Sequence, residues 1–422
     1  MHHDQAMKIM LDINTRFSKR RHQLAQFLAF ATLAVGSTMG LNATSAEALT
    51  FNLNPTFDIT TTQGAQAYAG FQKAANLWSG LLQDDVEVSL DIGFESLAPN
   101  VLGQASSNTV GVLYGDVYTA LDNDILSNDD RTAFANLQIG PSLDFLTTDL
   151  DTGETVRNND VSGKNLANNS KLRIHRANAK ALGLLGAADN SVADGLITFS
   201  SDFGFDFDPD DGISAGLFDF VGVAAHEIGH ALGFASGVDI VDYFALPNGP
   251  QASMDIDLGE YPIFSVLDLY RYSAESAALG ILDLAAGSPA YFSLDGGTTA
   301  IAPFSTGAFN GNGDQASHWM DHLGLGLLDP KINPGELLEF TANDILAFDV
   351  LGWDLNSQMS PPNPSYEPPL LDDPGSSDGP EFPESPSGED SNPTSVPEPG
   401  TVLGLVMLAG GWLLKRKTDR RS

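Results

Sequence analysis

The 422-residue chain contains no cysteine. That excludes disulfides, thiolate metal sites and a cysteine nucleophile, so any metal has to be held by His, Asp or Glu. Positive charge is also scarce: 20 Lys/Arg stand against 55 Asp/Glu, a formal net charge of −35. Half of the cations lie in residues 1–48 and 415–422, so the span 49–400 keeps ten against 51 acids, a net near −41. A surface of that sign excludes nucleic acid as a partner. Histidine is sparse too, with five beyond residue 48: His175, His226, His230, His318 and His322. No solenoid or propeller period repeats along the chain. What is present is 42% apolar content, enough to bury a core over a long globular region.

Both ends read as targeting segments. Residues 1–48 run from a basic stretch, RFSKRRH, through the apolar LAQFLAFATLAVG to ATSAEA at Ala48. This is the order of a secretory signal peptide, and the apolar part is shorter than the about 20 residues a membrane-spanning helix needs. Residues 396–422, VPEPGTVLGLVMLAGGWLLKRKTDRRS, join a Pro-Glu-Pro triplet, a short apolar stretch and a basic tail. They resemble the PEP-CTERM sorting signal of Gram-negative bacteria, which implies transient membrane anchoring, an exosortase as partner and a final place at the cell surface or outside it. Between them, residues 356–395 are dominated by Pro, Ser, Asp and Glu, a composition that cannot form a core and reads as a disordered linker. The folded domain is therefore expected over residues 49–355.

Within it, AQAYAGFQKAANLWSGLL at 65–82 places Tyr68, Phe71, Ala74, Ala75, Trp78, Leu81 and Leu82 on one helical stripe. DVEVSLDIGF alternates Val86, Val88, Leu90 and Ile92 with polar residues, the period of a strand with one buried face. GLITFSS at 195–201 reads as an edge strand and RANAKALGLLG at 176–186 as a short helix. In TANDILAFDVLG, Thr341 and Asp344 are spaced as a capping box, with Gly352 as the stop. Loosely alternating helices and strands predict an α+β domain with a small mixed sheet.

The chemistry concentrates in FDFVGVAAHEIGHALGF at 218–234, which has the composition of a buried helix with Asp219 at its N-terminal end. His226 and His230 lie four apart, on one face a turn from each other, and can share one ion. Glu227 is the residue type that takes a proton from an activated water, and H-E-x-x-H on a helix is a zinc-peptidase pattern. Catalytic zinc uses three protein ligands, and the helix supplies two. Asp239, Glu260, His318 and His322 are candidates for the third. Separately, SDFGFDFDPDDGI gathers Asp206, Asp208 and Asp210, oxygen ligands suited to Ca²⁺, although Pro209 interrupts any EF-hand spacing.

The zinc helix resembles the metzincin clan, in which a glycine three residues after the second His ends the helix; Gly233 matches that position. The clan's third ligand would fall at residue 236, which here is Ser236, a departure from the pattern. GDQASHWMDHLGLGLLDP at 313–330 resembles the leishmanolysin-like metzincins, whose third ligand follows a long insertion in a His-Trp pair. On that resemblance His318 is the third ligand, and Leu328 stands where the family has the methionine of its Met-turn. AAHEIGHALGF, ASHW and DVLGWDL together resemble bacterial PEP-CTERM-bearing metallopeptidases. The implied fold is a metzincin-like zincin with a small mixed sheet, a long active-site helix and a C-terminal helical subdomain. The implied activity is hydrolysis of peptide bonds in extracellular or surface proteins, with Zn²⁺ as cofactor and Glu227 as base. The competing reading is a non-catalytic surface or matrix protein on the same scaffold, binding Ca²⁺ or polysaccharide.

Overall fold

A computed structural model describes residues 49–97, 101–159, 166–356 and 394–395. The described residues lie in one compact unit, within 46–422. Residues 1–48 and 396–422, read from the sequence as a signal peptide and a sorting signal, lie outside the described residues, as does most of the expected linker 356–395. Of the linker, Asn356 and Thr394–Ser395 are described, the latter pairing antiparallel with Lys331–Ile332. Among the described residues no helix is long and apolar enough to cross a membrane.

The architecture is mixed helix and sheet, as the α+β expectation has it. Its main sheet has four strands: β1 (Thr50–Pro55), β2 (Glu87–Glu95), β3 (Gly103–Ser107) and β4 (Gly195–Ser200), in the order β1-β2-β4-β3. β1, β2 and β4 run parallel, and β3 returns antiparallel along the outer side of β4. Two expectations are corrected here. GLITFSS forms a strand, but it is interior, paired on both sides; the edge on its side of the sheet is β3, and β1 is the other edge. GQASS carries no β-branched or aromatic residue, so the sequence gives no strand signal there, and pairing with β4 rather than intrinsic propensity makes it a strand. β2 likewise buries more than one face: Val88, Leu90 and Ile92 are joined by Ser89, whose amide donates to Asp194 Oδ2 at 2.8 Å.

Helix α1 (Thr62–Leu81) follows the expected stripe, burying Ala67, Phe71, Ala74, Ala75, Trp78 and Leu81. Thr61 caps it by accepting from the Gly64 amide. It packs on α2 (Phe220–Leu232), every residue of which is buried. Phe71 meets Phe220 edge to face at 5.2 Å, and the Trp78 indole N–H donates to the Ala225 carbonyl at 2.8 Å. Asp219 is the N-cap of α2, accepting from the Gly222 amide at 2.8 Å. β3 lies alongside the same helix, so one sheet edge and the H-E-x-x-H helix are neighbours.

Past α2 the expectation of a helical subdomain fails. The helices there are short, α3 (Val238–Phe244), Ala274–Leu279 and α4 (Ala342–Val350), and they are interspersed with two- and three-residue strand pairings and many turns. One such strand, Leu282–Leu284, pairs parallel with Phe145–Thr148, tying this region back to the chain before α2. The density of Gly, Asn, Asp and Pro keeps any periodic segment short. The final helix does match: Thr341 and Asp344 form the capping box, and Gly352 follows at φ +90°.

Candidate metal centre

His226 and His230 project from α2 one turn apart, as their spacing requires, and His318 arrives from a loop 88 residues beyond His230. The three Nε2 atoms stand 3.0 Å (226–230), 3.1 Å (230–318) and 3.3 Å (226–318) from one another. All three side chains are buried, at 0–1% exposure. Among the described residues this is the group of side chains close enough to hold a metal ion.

The other ring nitrogens explain why the Nε2 atoms point inward. His226 Nδ1 lies 2.7 Å from the Leu327 carbonyl, His230 Nδ1 lies 2.7 Å from the Phe234 carbonyl, and His318 Nδ1 lies 3.3 Å from the Gln315 carbonyl. A carbonyl only accepts, so each Nδ1 carries the proton and each Nε2 presents a lone pair. Burial pushes His226 and His318 well below the ordinary imidazole range and His230 down to about 4, so the rings are neutral near pH 7. Three lone pairs at such separations repel one another unless a cation sits among them. Glu227, fully buried in the same helix and three residues from His230, adds a carboxylate to that neighbourhood.

The turn that ends α2 is part of this arrangement. Gly233 has φ +125°, a backbone conformation that disfavours any side chain, and a Cβ there would come within 3.0 Å of Asn178 Cβ. The reversal brings the Phe234 carbonyl back onto His230. His175, at the end of strand Lys171–His175, closes the same helix end by placing Nδ1 2.7 Å from the His230 carbonyl. No sequence signal singled out His175, because its partner is a backbone atom 55 residues away.

The third histidine of the cluster is positioned by polar contacts. Asp239, an alternative ligand on sequence grounds, is not in the cluster. Its Oδ1 accepts the Ala316 amide at 2.7 Å and its Oδ2 accepts the Ser317 hydroxyl, so it grips the two residues before His318. Ser236, where the metzincin pattern has a ligand, instead donates its amide to Ser317 Oγ at 2.8 Å and its hydroxyl to Asp268 at 2.6 Å. Leu328, expected from the resemblance to stand at a Met-turn, lies in a turn, is buried and packs where a Cβ on Gly229 would meet it at 3.3 Å, against the middle of α2. Asp344 holds this turn from α4: it accepts from the Trp319 indole (2.9 Å), the amides of Leu327 (2.8 Å) and Thr341 (2.8 Å), and the Leu328 amide (3.3 Å). A side chain on Gly326 would collide with that carboxylate at 2.1 Å.

The remaining candidates are placed elsewhere. His322 has φ +65° and pairs its Nε2 with Asp321 at 3.0 Å, and Glu260 is an exposed residue of a single 3₁₀ turn. The proposed calcium aspartates do not converge. Asp208 and Asp210 are exposed and face Lys73 Nζ at 2.7 and 3.4 Å, while Asp206 accepts the amides of Asp208 and Ser214. Lys73 engages one oxygen each of Asp208 and Asp210, and backbone amides engage both oxygens of Asp206. A cavity of about 430 Å³ lined by Thr148, Arg157, Asn168 and Asp257 among others shares no residue with the histidine cluster. No family model, curated protein or solved structure matches this chain.

Proposed function

We propose that the chain is an exported zinc-dependent endopeptidase that cleaves peptide bonds of extracellular or surface proteins. The observation carrying this reading is the convergence of three neutral Nε2 atoms within 3.3 Å of one another, beside a buried glutamate that follows the first of them. Tetrahedral zinc with Zn–N of about 2.0–2.1 Å requires nitrogen pairs roughly 3.3 Å apart, so the donor set fits that ion in type and spacing. His226, His230 and His318 would hold it, leaving a fourth position open. Bound zinc supplies Lewis acidity at a scissile carbonyl and acidifies water.

Glu227 then accepts the proton from the attacking water and passes it to the leaving amine, the role its place after the first ligand suits. The backbone carbonyls of Leu327, Phe234 and Gln315 fix the imidazole tautomers, so the ligands need no proton rearrangement to bind metal. The edge strand β3, beside α2, has an outer side that no strand among the described residues pairs with, on which an extended peptide can add as a further strand. The two terminal targeting signals and the strongly acidic composition support a place outside the cytoplasm.

Zinc content and casein hydrolysis, measured together on the wild type and on Glu227→Gln, test the reading. One zinc per chain in both, with hydrolysis reduced about 10²–10⁴-fold in the variant, is the expected result. Stoichiometric zinc with no Glu227-dependent cleavage would overturn the peptidase and leave a non-catalytic metal-binding surface protein.

A further inference from the structure

The His318 loop is gripped from two sides by buried polar groups that hold no metal themselves. On one side Asp239 of α3 accepts the Ala316 amide (2.7 Å) and the Ser317 hydroxyl. On the other, Arg271 donates to the carbonyls of Ala316 (3.3 Å) and Ser305 (3.2 Å), and Ser305 in turn donates its amide to the His318 carbonyl at 2.9 Å. Asp239, Arg271, Ser305 and Ser317 are all at least nine-tenths buried. The guanidinium also lies 4.8 Å over the Phe304 ring. A group with this much ordered polar contact on one short segment fixes where that segment sits.

We propose that Asp239 is a positioning residue for the third metal ligand: by holding Ala316 and Ser317 it sets the backbone from which His318 Nε2 meets the two histidines of α2. This rests on the metal-site reading and not on peptidase activity. Two ligands on a rigid helix and a third on a loop give a site whose affinity depends on how narrowly the loop is held. Asp239 takes over the place, three residues past Ser236, where the sequence allowed a ligand, and binds the neighbour of the ligand instead of the ion.

The test is zinc affinity of the full chain, by competition with a chromophoric chelator, in a double-mutant cycle of Asp239→Ala and His318→Ala. Asp239→Ala alone is expected to weaken zinc about 10–100-fold, the range for loss of a group that orients a ligand. In the His318→Ala background the same change is expected to cost nothing further. Asp239→Asn, which keeps an acceptor for the Ala316 amide, should lose less than Asp239→Ala. If Asp239→Ala does not fold, Ser317→Ala, which removes one arm of the contact, carries the same cycle. Unchanged zinc affinity in the Asp239 and Ser317 variants would overturn the proposal. So would an equal fold-loss from Asp239→Ala with and without His318, which is the signature of a ligand or of general destabilisation. Zinc binding that obeys the cycle without any casein cleavage would sink the peptidase reading and leave this one standing.

Discussion

The helix Phe220–Leu232 and the segment Gln315–Asp329 bring histidines to the same point by different means. The helix is buried along its whole length among Phe71, Trp78, Phe199 and Phe348, and its two histidines are placed by the 3.6-residue period alone. The segment has no regular structure of its own. Its position comes from Asp239, Arg271, Ser305 and Asp344, buried polar side chains that reach its backbone from distant parts of the sequence. Packing tolerates small changes of shape, whereas a buried network fails when one member is removed. The two halves of the site should therefore respond unequally to single substitutions.

The largest expected effect is at Asp344. Asp344→Ala removes the acceptor of the Trp319 indole and of three amides at once, and should lower stability by roughly 3–5 kcal/mol, as for other broken buried charged networks. Trp78→Phe, which deletes a single polar contact to α2 while keeping most of the ring, should cost only about 1–2 kcal/mol. Urea midpoints of the metal-free variants check the order; equal losses would erase the distinction between the two regions.

Gly233→Ala probes the joint between them. At φ +125°, and with Asn178 Cβ at 3.0 Å, the added methyl should cost about 1–3 kcal/mol and shift the Phe234 carbonyl away from His230. A thermal midpoint equal to wild type would mean that the turn is not strained.

A pH dependence separates a third group, the carboxylates where the closing segment meets the chain near residues 84–130. Burial pushes Asp84 up to about 8, and Asp124 and Asp349 up to about 7. Unfolded aspartate titrates near 3.9, so between about pH 4 and 8 the folded chain holds protons that the unfolded chain has released. Their stabilising contribution is complete below about pH 4 and is lost as pH rises through 7–8. Buried His175 and His230, pushed down to about 4, act oppositely, losing their contribution as pH falls below about 6.5. From about pH 6.5 to 8 these carboxylates set the slope together with Asp239, which burial pushes up to about 7. The metal-free protein should lose stability across that window, and Asp84→Asn should flatten the loss; a rise with pH would contradict the assignment.

The smallest effect is expected at Lys73. Lys73→Ala opens an exposed ion pair with Asp208 and Asp210 and should leave the unfolding midpoint unmoved, with or without saturating calcium. A calcium-dependent rise in the midpoint would restore those aspartates as a cation site.

How far the sequence reads follows the same division. Periodicity and capping made α1, α2 and α4 legible, and the H-E-x-x-H spacing with Gly233 made two histidines of the cluster and the helix end legible. His318 was reachable from its His-Trp context. The edge strand β3 was not, because GQASS has no strand-forming residue and is made a strand by its neighbour. Nor was the part played by Asp239. An acidic residue close in sequence to two metal histidines reads as a ligand, and only the placement of Ala316 and Ser317 against it, 77 and 78 residues on, gives it another task. Asp268 shares that invisibility, and so does the hold of Asp344 on Leu327 beyond its capping box, since those partners are backbone amides and hydroxyls that no residue type announces.

The most direct measurement is zinc content per chain, after dialysis against metal-free buffer, of the wild type beside His318→Ala. A site assembled from the helix and the loop predicts one zinc in the wild type and its loss in the variant. Full retention of zinc by His318→Ala would contradict it.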